Sequence, residues 1–169
     1  GKTSAPPTVI THPTDVNATT GTSATFTVAA SGTAPLTYQW QKDGTNVAGD
    51  SNSSSYTISS LSEDHNGTYR VVISDIYGSA TSNGATLGVG YAPSTTTHPT
   101  SQFIVTGNSA TFTVVASGTA TLTYQWQKDA SNIAGATSSS YTIGSVADSD
   151  AGAFRCVVDN GFGSATSSS

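Results

Sequence analysis

Thr37-Tyr-Gln-Trp-Gln-Lys-Asp43 returns letter for letter as Thr123-Tyr-Gln-Trp-Gln-Lys-Asp129, and the reading of this stretch decides the fold. Leu36, Tyr38 and Trp40 fall on one parity, while Thr37, Gln39 and Gln41 fall on the other. In an extended chain successive side chains point to opposite faces, so a period of two marks a strand with one apolar and one solvated face. Lys42-Asp43-Gly44 then supplies a turn, because Asp bonds its own backbone and Gly accepts backbone angles other residues avoid.

The same stretch also opens an internal repeat. Ala24-Thr-Phe-Thr-Val28 returns as Ala110-Thr-Phe-Thr-Val114, and His12-Pro13 as His98-Pro99, both at an offset of 86 residues. Tyr56-Thr-Ile58 matches Tyr141-Thr-Ile143, and Gly78-Ser-Ala-Thr81 matches Gly163-Ser-Ala-Thr166, at an offset of 85. One residue is therefore lost between Trp126 and Tyr141. This period suits a whole small domain rather than a solenoid unit. The boundary falls within Gly88-Val-Gly-Tyr-Ala-Pro93, which gives domains at 1–90 and 91–169. A linker of so few residues predicts two sandwiches held end to end as a semi-rigid rod.

Outward from the central strand, alternation recurs at Ala24/Phe26/Val28, Tyr56/Ile58, Tyr69/Val71/Ile73 and Leu87/Val89. Turn residues separate these runs at Ser31-Gly32, Gly49-Asp-Ser-Asn52 and Asp75-Ile-Tyr-Gly78. Short alternating strands at this spacing, with no helical stretch, predict an all-β sandwich with antiparallel Greek-key sheets.

The order Gly21…Phe26-x-Val28, Trp40, Gly67-x-Tyr69-x-Val71 resembles strands B, C and F of the immunoglobulin superfamily. With Ser-Ser-Tyr-Thr-Ile, it is similar to the intermediate-set domains found in tandem in bacterial surface, secreted and phage proteins. The resemblance implies that Trp40 packs between the B and F positions and that the Tyr69 hydroxyl forms a corner bond. It also brings out departures. Val28, Val71 and Val114 stand where the family has cysteine, and the single Cys156 has no partner within the chain. Omitting such a bridge forgoes about 4 kcal/mol on the chain-entropy model, which the buried valines offset in part. His65 stands where the family places Asp, whereas Asp150 keeps it; Phe154 replaces the corner Tyr, so the second repeat is expected to be the less stable. The counterparts of Leu87 and Val89 would fall beyond Ser169, so the last strand of the second repeat is expected to be truncated.

Composition narrows the function. Hydrophobic residues make up 35% of the chain but charged residues only 9%, with five Lys and Arg and a net charge of −5. So few cations cannot neutralise a phosphate backbone, and nucleic acid is not an expected partner. Ser and Thr, about a third of the chain, supply the polar surface and favour strands and turns. No apolar run approaches the roughly 18 residues of a membrane span, so membrane insertion is not expected. Residues 1–10 carry no signal-peptide core, so any targeting segment is expected elsewhere.

Catalysis needs a nucleophile beside a base, paired carboxylates or clustered ligands, and the chain offers none in sequence. His12 and His98 read as strand-end residues, His65 with Glu63 and Asp64 as a solvated turn, and Cys156 as a buried, inert thiol. An enzyme is not expected, and neither a cofactor nor a metal site is implied; no acidic cluster flanks Tyr91–Pro93 to hold calcium. Binding surfaces are the better candidates. Tyr77 and Phe162 share one site in the F–G turn, where an aromatic can stack on a sugar or enter a partner's pocket. Gln39, Gln41 and Arg70 in one repeat, and Gln125, Gln127 and Arg155 in the other, each mark an outer face whose amide and guanidinium groups suit hydroxyl-rich ligands. Asn17, Asn52 and Asn66 begin glycosylation triplets. The resulting expectation is a non-catalytic spacer or adhesion module of a larger secreted or surface-exposed protein. Glycans or proteins would be its partners, and further domains of a longer parent chain its neighbours. Two other readings are a carbohydrate-binding appendage of a polysaccharide-degrading enzyme and a decoration domain on a virion surface.

Overall fold

The computed structural model describes residues 4–48 and 52–169. The expected turn at Gly49–Asn52 lies outside the described residues except for Asn52, whose Oδ1 accepts the Tyr38 N–H at 2.8 Å. The chain divides into two compact units, Gly1–Gly90 and Tyr91–Ser169.

In the first unit the strands are β1 (Thr8–Thr11), β2 (Val16–Thr19), β3 (Ala24–Thr27), β4 (Ala29–Ser31) and β5 (Thr37–Lys42). They continue as β6 (Thr45–Asn46), β7 (Ser55–Ile58), β8 (Gly67–Asp75), β9 (Gly78–Thr81) and β10 (Ala85–Gly90). One sheet runs β2-β10-β8-β5-β6, with β9 also paired to β8; the pairs β3–β7 and β1–β4 build the opposing layer. All pairings are antiparallel except β10 with β2, which run parallel. The second unit repeats the plan with β11 (Ser94–Thr97), β12 (Ala110–Thr113), β13 (Val115–Ser117) and β14 (Thr123–Lys128). Then follow β15 (Ser131–Asn132), β16 (Ser140–Ile143), β17 (Phe154–Asn160) and β18 (Gly163–Thr166). Its larger sheet has the order β15-β14-β17-β18. Among the described residues nothing in it corresponds to β2 or β10.

The period-two reading is reproduced residue by residue. Phe26, Trp40, Tyr69, Val71 and Ile73 are buried, as are Ala85, Leu87 and Val89 of β10. Trp40 faces Val71 across β5 and β8, and Trp126 faces Cys156 across β14 and β17. Each indole is fully buried yet satisfied, donating to the Ser53 carbonyl at 2.8 Å and to the Ser138 carbonyl at 2.8 Å. Around them the rings overlap: Phe26 stacks on Tyr69 at 5.0 Å, and Phe112 on Phe154 at 4.7 Å. Such pairs add about 0.5–1.5 kcal/mol beyond the area they bury.

The corner bond differs between the units as the side chains dictate. The Tyr69 hydroxyl donates to the His65 carbonyl at 2.9 Å, a bond Phe154 cannot make. Burial pushes the Tyr69 phenol up to about 12, with Tyr56 and Asp43 adding to the shift. A phenol whose folded pKa lies above its unfolded value of roughly 10 stabilises the fold fully below pH 10. That contribution is lost as pH rises through the folded value. Tyr69→Phe is therefore expected to cost about 1 kcal/mol at neutral pH, the net worth of one hydrogen bond, and to shrink the loss of stability between about pH 10 and 12. Denaturant titrations at pH 8 and 11 check this. An equal alkaline loss in both proteins would remove Tyr69 as its source.

Candidate binding surfaces

The β8–β9 turn is built by an acidic side chain acting on backbone. Asp75 Oδ1 accepts the Tyr77 N–H at 2.8 Å, and its Oδ2 accepts the Thr33 N–H at 2.9 Å, tying the turn to the β4–β5 connection. Asn160 does the same in the second unit: Oδ1 accepts the Phe162 N–H at 2.9 Å, while Nδ2 donates to the carbonyls of Thr119 and Tyr91. Gly78 follows with φ +149, where an added Cβ would stand 3.0 Å from Pro6 Cβ, so only glycine closes the turn. On this fixed frame the first unit presents Ile76, 73% exposed, beside Tyr77, 46% exposed. In the second unit Gly161 replaces Ile76, and Phe162 is half-buried. The two aromatic sites are thus equivalent in backbone and unequal in accessibility.

The outer face of β5 and β8 is largely occupied by its own bonds. Arg70 Nε donates to Gln41 Oε1 at 2.8 Å, and Gln41 Nε2 to Asn46 Oδ1 at 2.9 Å; Gln39 Nε2 donates to the Trp40 carbonyl at 2.9 Å. The second unit copies this ladder. Arg155 Nε donates to Gln127 Oε1 at 2.7 Å and Gln127 Nε2 to Asn132 Oδ1 at 2.8 Å, while Gln125 Nε2 donates to the carbonyls of Trp126 and Ile133. Within each unit the residues singled out by sequence lie on one face, and they are braced there: a ligand would have to compete with bonds already made.

The histidines have positions that sequence reasoning placed but did not explain. His12 Nδ1 accepts the Asn83 N–H at 3.0 Å, and His98 Nδ1 accepts the Ser168 N–H at 3.0 Å. His65 Nδ1 accepts the Ser62 N–H at 2.9 Å, the job done by Asp150 Oδ2 on the Ala147 N–H at 2.8 Å. An acceptor three residues on closes the turn in both cases, so His substitutes for Asp there through its unprotonated ring nitrogen. The signal was available: His and Asp at one repeat position both can accept a hydrogen bond from a backbone N–H. Asp43 and Asp129 are turn residues as expected, with left-handed backbone (φ 50 and 48) and Oδ1 accepting the N–H of Thr68 and Ala153. Lys42 and Lys128 each donate to a backbone carbonyl, of Asp64 and Ser149.

Cys156 is fully buried, and burial raises its thiol pKa, against a smaller lowering from the Gln125 backbone. Among the described residues no group of three or more His, Cys, Asp or Glu gathers to hold a metal. Asn66 grips Val89 of β10, its Nδ2 donating to the carbonyl at 3.1 Å and its Oδ1 accepting the N–H. Its amide is thereby committed to the fold. Among the described residues no helix is long and apolar enough to cross a membrane.

Comparison with known proteins places these units. The family model described as immunoglobulin domain matches residues 6–75 and again 92–160. Among solved structures, the I-band fragment I67–I69 of titin is 23% identical over 97% of this chain and 64% of its own, with a TM-score of 0.71. Sidekick-1 immunoglobulin domains 1–4 are 20% identical over 96% of this chain and 47% of theirs, at 0.76. The extracellular domains 3–5 of Drosophila OTK are 19% identical over 95% of this chain and 59% of theirs, at 0.79. The chain spans less than two thirds of each of these structures, and the likeness is one of fold.

Proposed function

The chain belongs to the immunoglobulin domain family, and from that premise we propose that it is a non-catalytic spacer and adhesion module of a larger secreted or surface-exposed multidomain protein, bacterial or phage-borne. The observation that carries this reading is the contrast between two surfaces. The polar face of β5 and β8 is braced by its own Arg–Gln–Asn bonds, whereas the β8–β9 tip offers Ile76 and Tyr77 on a turn that Asp75 already holds. A rigid apolar tip loses little side-chain entropy on contact, which suits an anchor residue in a small interface. Low charge supports a surface that stays soluble without collecting polyions.

A carbohydrate-binding appendage is the second reading. The exposed Tyr77 ring favours it, since an aromatic face stacks on a sugar ring. It rests on one ring rather than two, because Phe162 is half-buried.

Retention of the chain on whole bacterial cells and on insoluble polysaccharides tests both readings. Tyr77→Ala is expected to weaken retention about tenfold or more, within the range of an interface anchor, with an unchanged melting temperature; Phe162→Ala is expected to change it less. Retention on purified polysaccharide that Tyr77→Ala abolishes would favour the appendage. Retention unaffected by either substitution would remove the β8–β9 tip as the adhesive site.

A further inference from the structure

Asparagine followed by glycine is chemically labile, and the chain contains the pair three times, at Asn66-Gly67, Asn83-Gly84 and Asn160-Gly161. With no Cβ on the following residue, the glycine nitrogen is open to approach by the asparagine Cγ. The reaction needs the side-chain amide to swing over that nitrogen. An amide held elsewhere by hydrogen bonds must first break them.

The three pairs differ in this respect. Asn66 commits its amide to β10, Nδ2 donating to the Val89 carbonyl at 3.1 Å and Oδ1 accepting the Val89 N–H. Its Gly67 lies within β8, opposite Leu87. Asn160 donates from Nδ2 to the carbonyls of Tyr91 and Thr119, at 2.8 and 2.9 Å, and Oδ1 accepts the Phe162 N–H at 2.9 Å. Asn83 is tied by its backbone instead. Its N–H donates to His12 Nδ1 at 3.0 Å, and its carbonyl accepts the Ser82 hydroxyl at 3.0 Å. Among the described residues its side-chain amide makes no hydrogen bond. Asn83 and Gly84 are both exposed, in the short irregular link between β9 and β10. The fold itself requires glycine there, because an added Cβ at position 84 would stand 2.6 Å from Thr68 Cγ2.

We propose that Asn83 is a site of spontaneous deamidation, the one Asn-Gly pair of the three that reacts in the folded chain. Gly84 N attacks Asn83 Cγ. That N–C bond forms as the Cγ–Nδ2 bond breaks, and Nδ2 leaves as ammonia with the proton that Gly84 gives up. Water then opens the cyclic imide, at Cγ to leave aspartate or at the backbone carbonyl carbon to leave isoaspartate. Either product places a new negative charge next to the His12 contact. Isoaspartate also lengthens the main chain by a methylene. The insertion falls between Ser82, whose Oγ accepts the Val71 N–H at 3.0 Å, and Ala85, the fully buried first residue of β10. With both neighbours fixed, the extra length is absorbed by β10 slipping against β8 or fraying at its start. The modification thus loosens the strand that joins β2 to β8.

The test holds the folded chain at mildly alkaline pH and follows each Asn-Gly peptide by mass spectrometry, with isoaspartyl methyltransferase labelling to mark isoaspartate. A parallel sample is held in urea. In the folded chain Asn83 is expected to convert at least about tenfold faster than Asn66 or Asn160, whose amides must first be released. In urea the three are expected to convert at similar rates. Asn83→Gln is expected to remove the folded-state signal at this position and to leave the melting temperature unchanged. The converted chain is expected to melt lower in its first transition only, and Asn83→Asp, which adds the charge without the methylene, to lose less. Equal rates at the three pairs in the folded chain, or conversion of Asn83 in urea alone, would overturn the site. A fully converted chain whose first transition does not move would overturn the loosening of β10.

Discussion

Trp40→Ala is expected to abolish the cooperative unfolding transition of the first unit at ordinary temperature while leaving that of the second in place. The indole is 0% exposed and sits among Phe26 and Tyr56, at ring distances of 6.3 and 6.1 Å, with Val71 directly across the sheet. Truncating a buried Trp to Ala costs about 3–5 kcal/mol, from lost burial plus the cavity left behind. The substitution also strands the Ser53 carbonyl, which loses its indole donor. A domain of this size holds roughly 5–10 kcal/mol in total, so the loss takes from about a third to all of it. Trp126→Ala is expected to be more severe in relative terms. Among the described residues its buried hydrophobic cluster, Val114, Trp126, Ala136, Cys156 and Val158, is smaller than that of the first unit. Calorimetry of both variants checks this. A single transition lost as a whole in either variant would mean that the units unfold together.

The parts of the fold legible in sequence are those fixed by alternation and by local turn chemistry. Leu36, Tyr38 and Trp40 sort to one face because the backbone leaves no other arrangement, and Lys42-Asp43 turns because Asp tolerates left-handed backbone. What was not legible depends on partners distant in sequence. Thr8–Thr11 pairs with Ala29–Ser31, and nothing in the composition of either segment names the other. The same holds at the candidate surfaces. Tyr77 and Phe162 look equivalent in the repeat, but Ile76 against Gly161 and the surrounding packing make one exposed and the other half-buried. The parity of Gln39 and Gln41 is legible in the sequence, but the bond to Arg70 follows from cross-strand register, Gln41 opposite Arg70, which sequence does not print.

Val114→Cys is expected to create a bridge to the native Cys156 and to raise the stability of the second unit by up to about 4 kcal/mol. Both side chains are buried in the same core cluster beside Trp126, Val114 at 3% and Cys156 at 0% exposure. They occupy the two positions that carry the inter-sheet bridge in disulfide-bearing immunoglobulin domains. Closing a loop of about 40 residues removes enough unfolded-chain entropy to give that figure on the chain-entropy model. Replacing the valine subtracts part of it, since each buried methylene is worth about 0.8 kcal/mol. Burial raises the Cys156 thiol pKa and shields it, so oxidation has to occur as the unit folds rather than afterwards. The measurement is the melting temperature of the second transition with and without reductant. An increase of several degrees that reductant cancels is the expected result, alongside a first transition that does not move. A bridge that forms and lowers the melting temperature would show that the two sheets are spaced for Val against Cys and strained by a shorter covalent link. A thiol still titratable in denaturant after oxidation would place the two sulfurs out of reach.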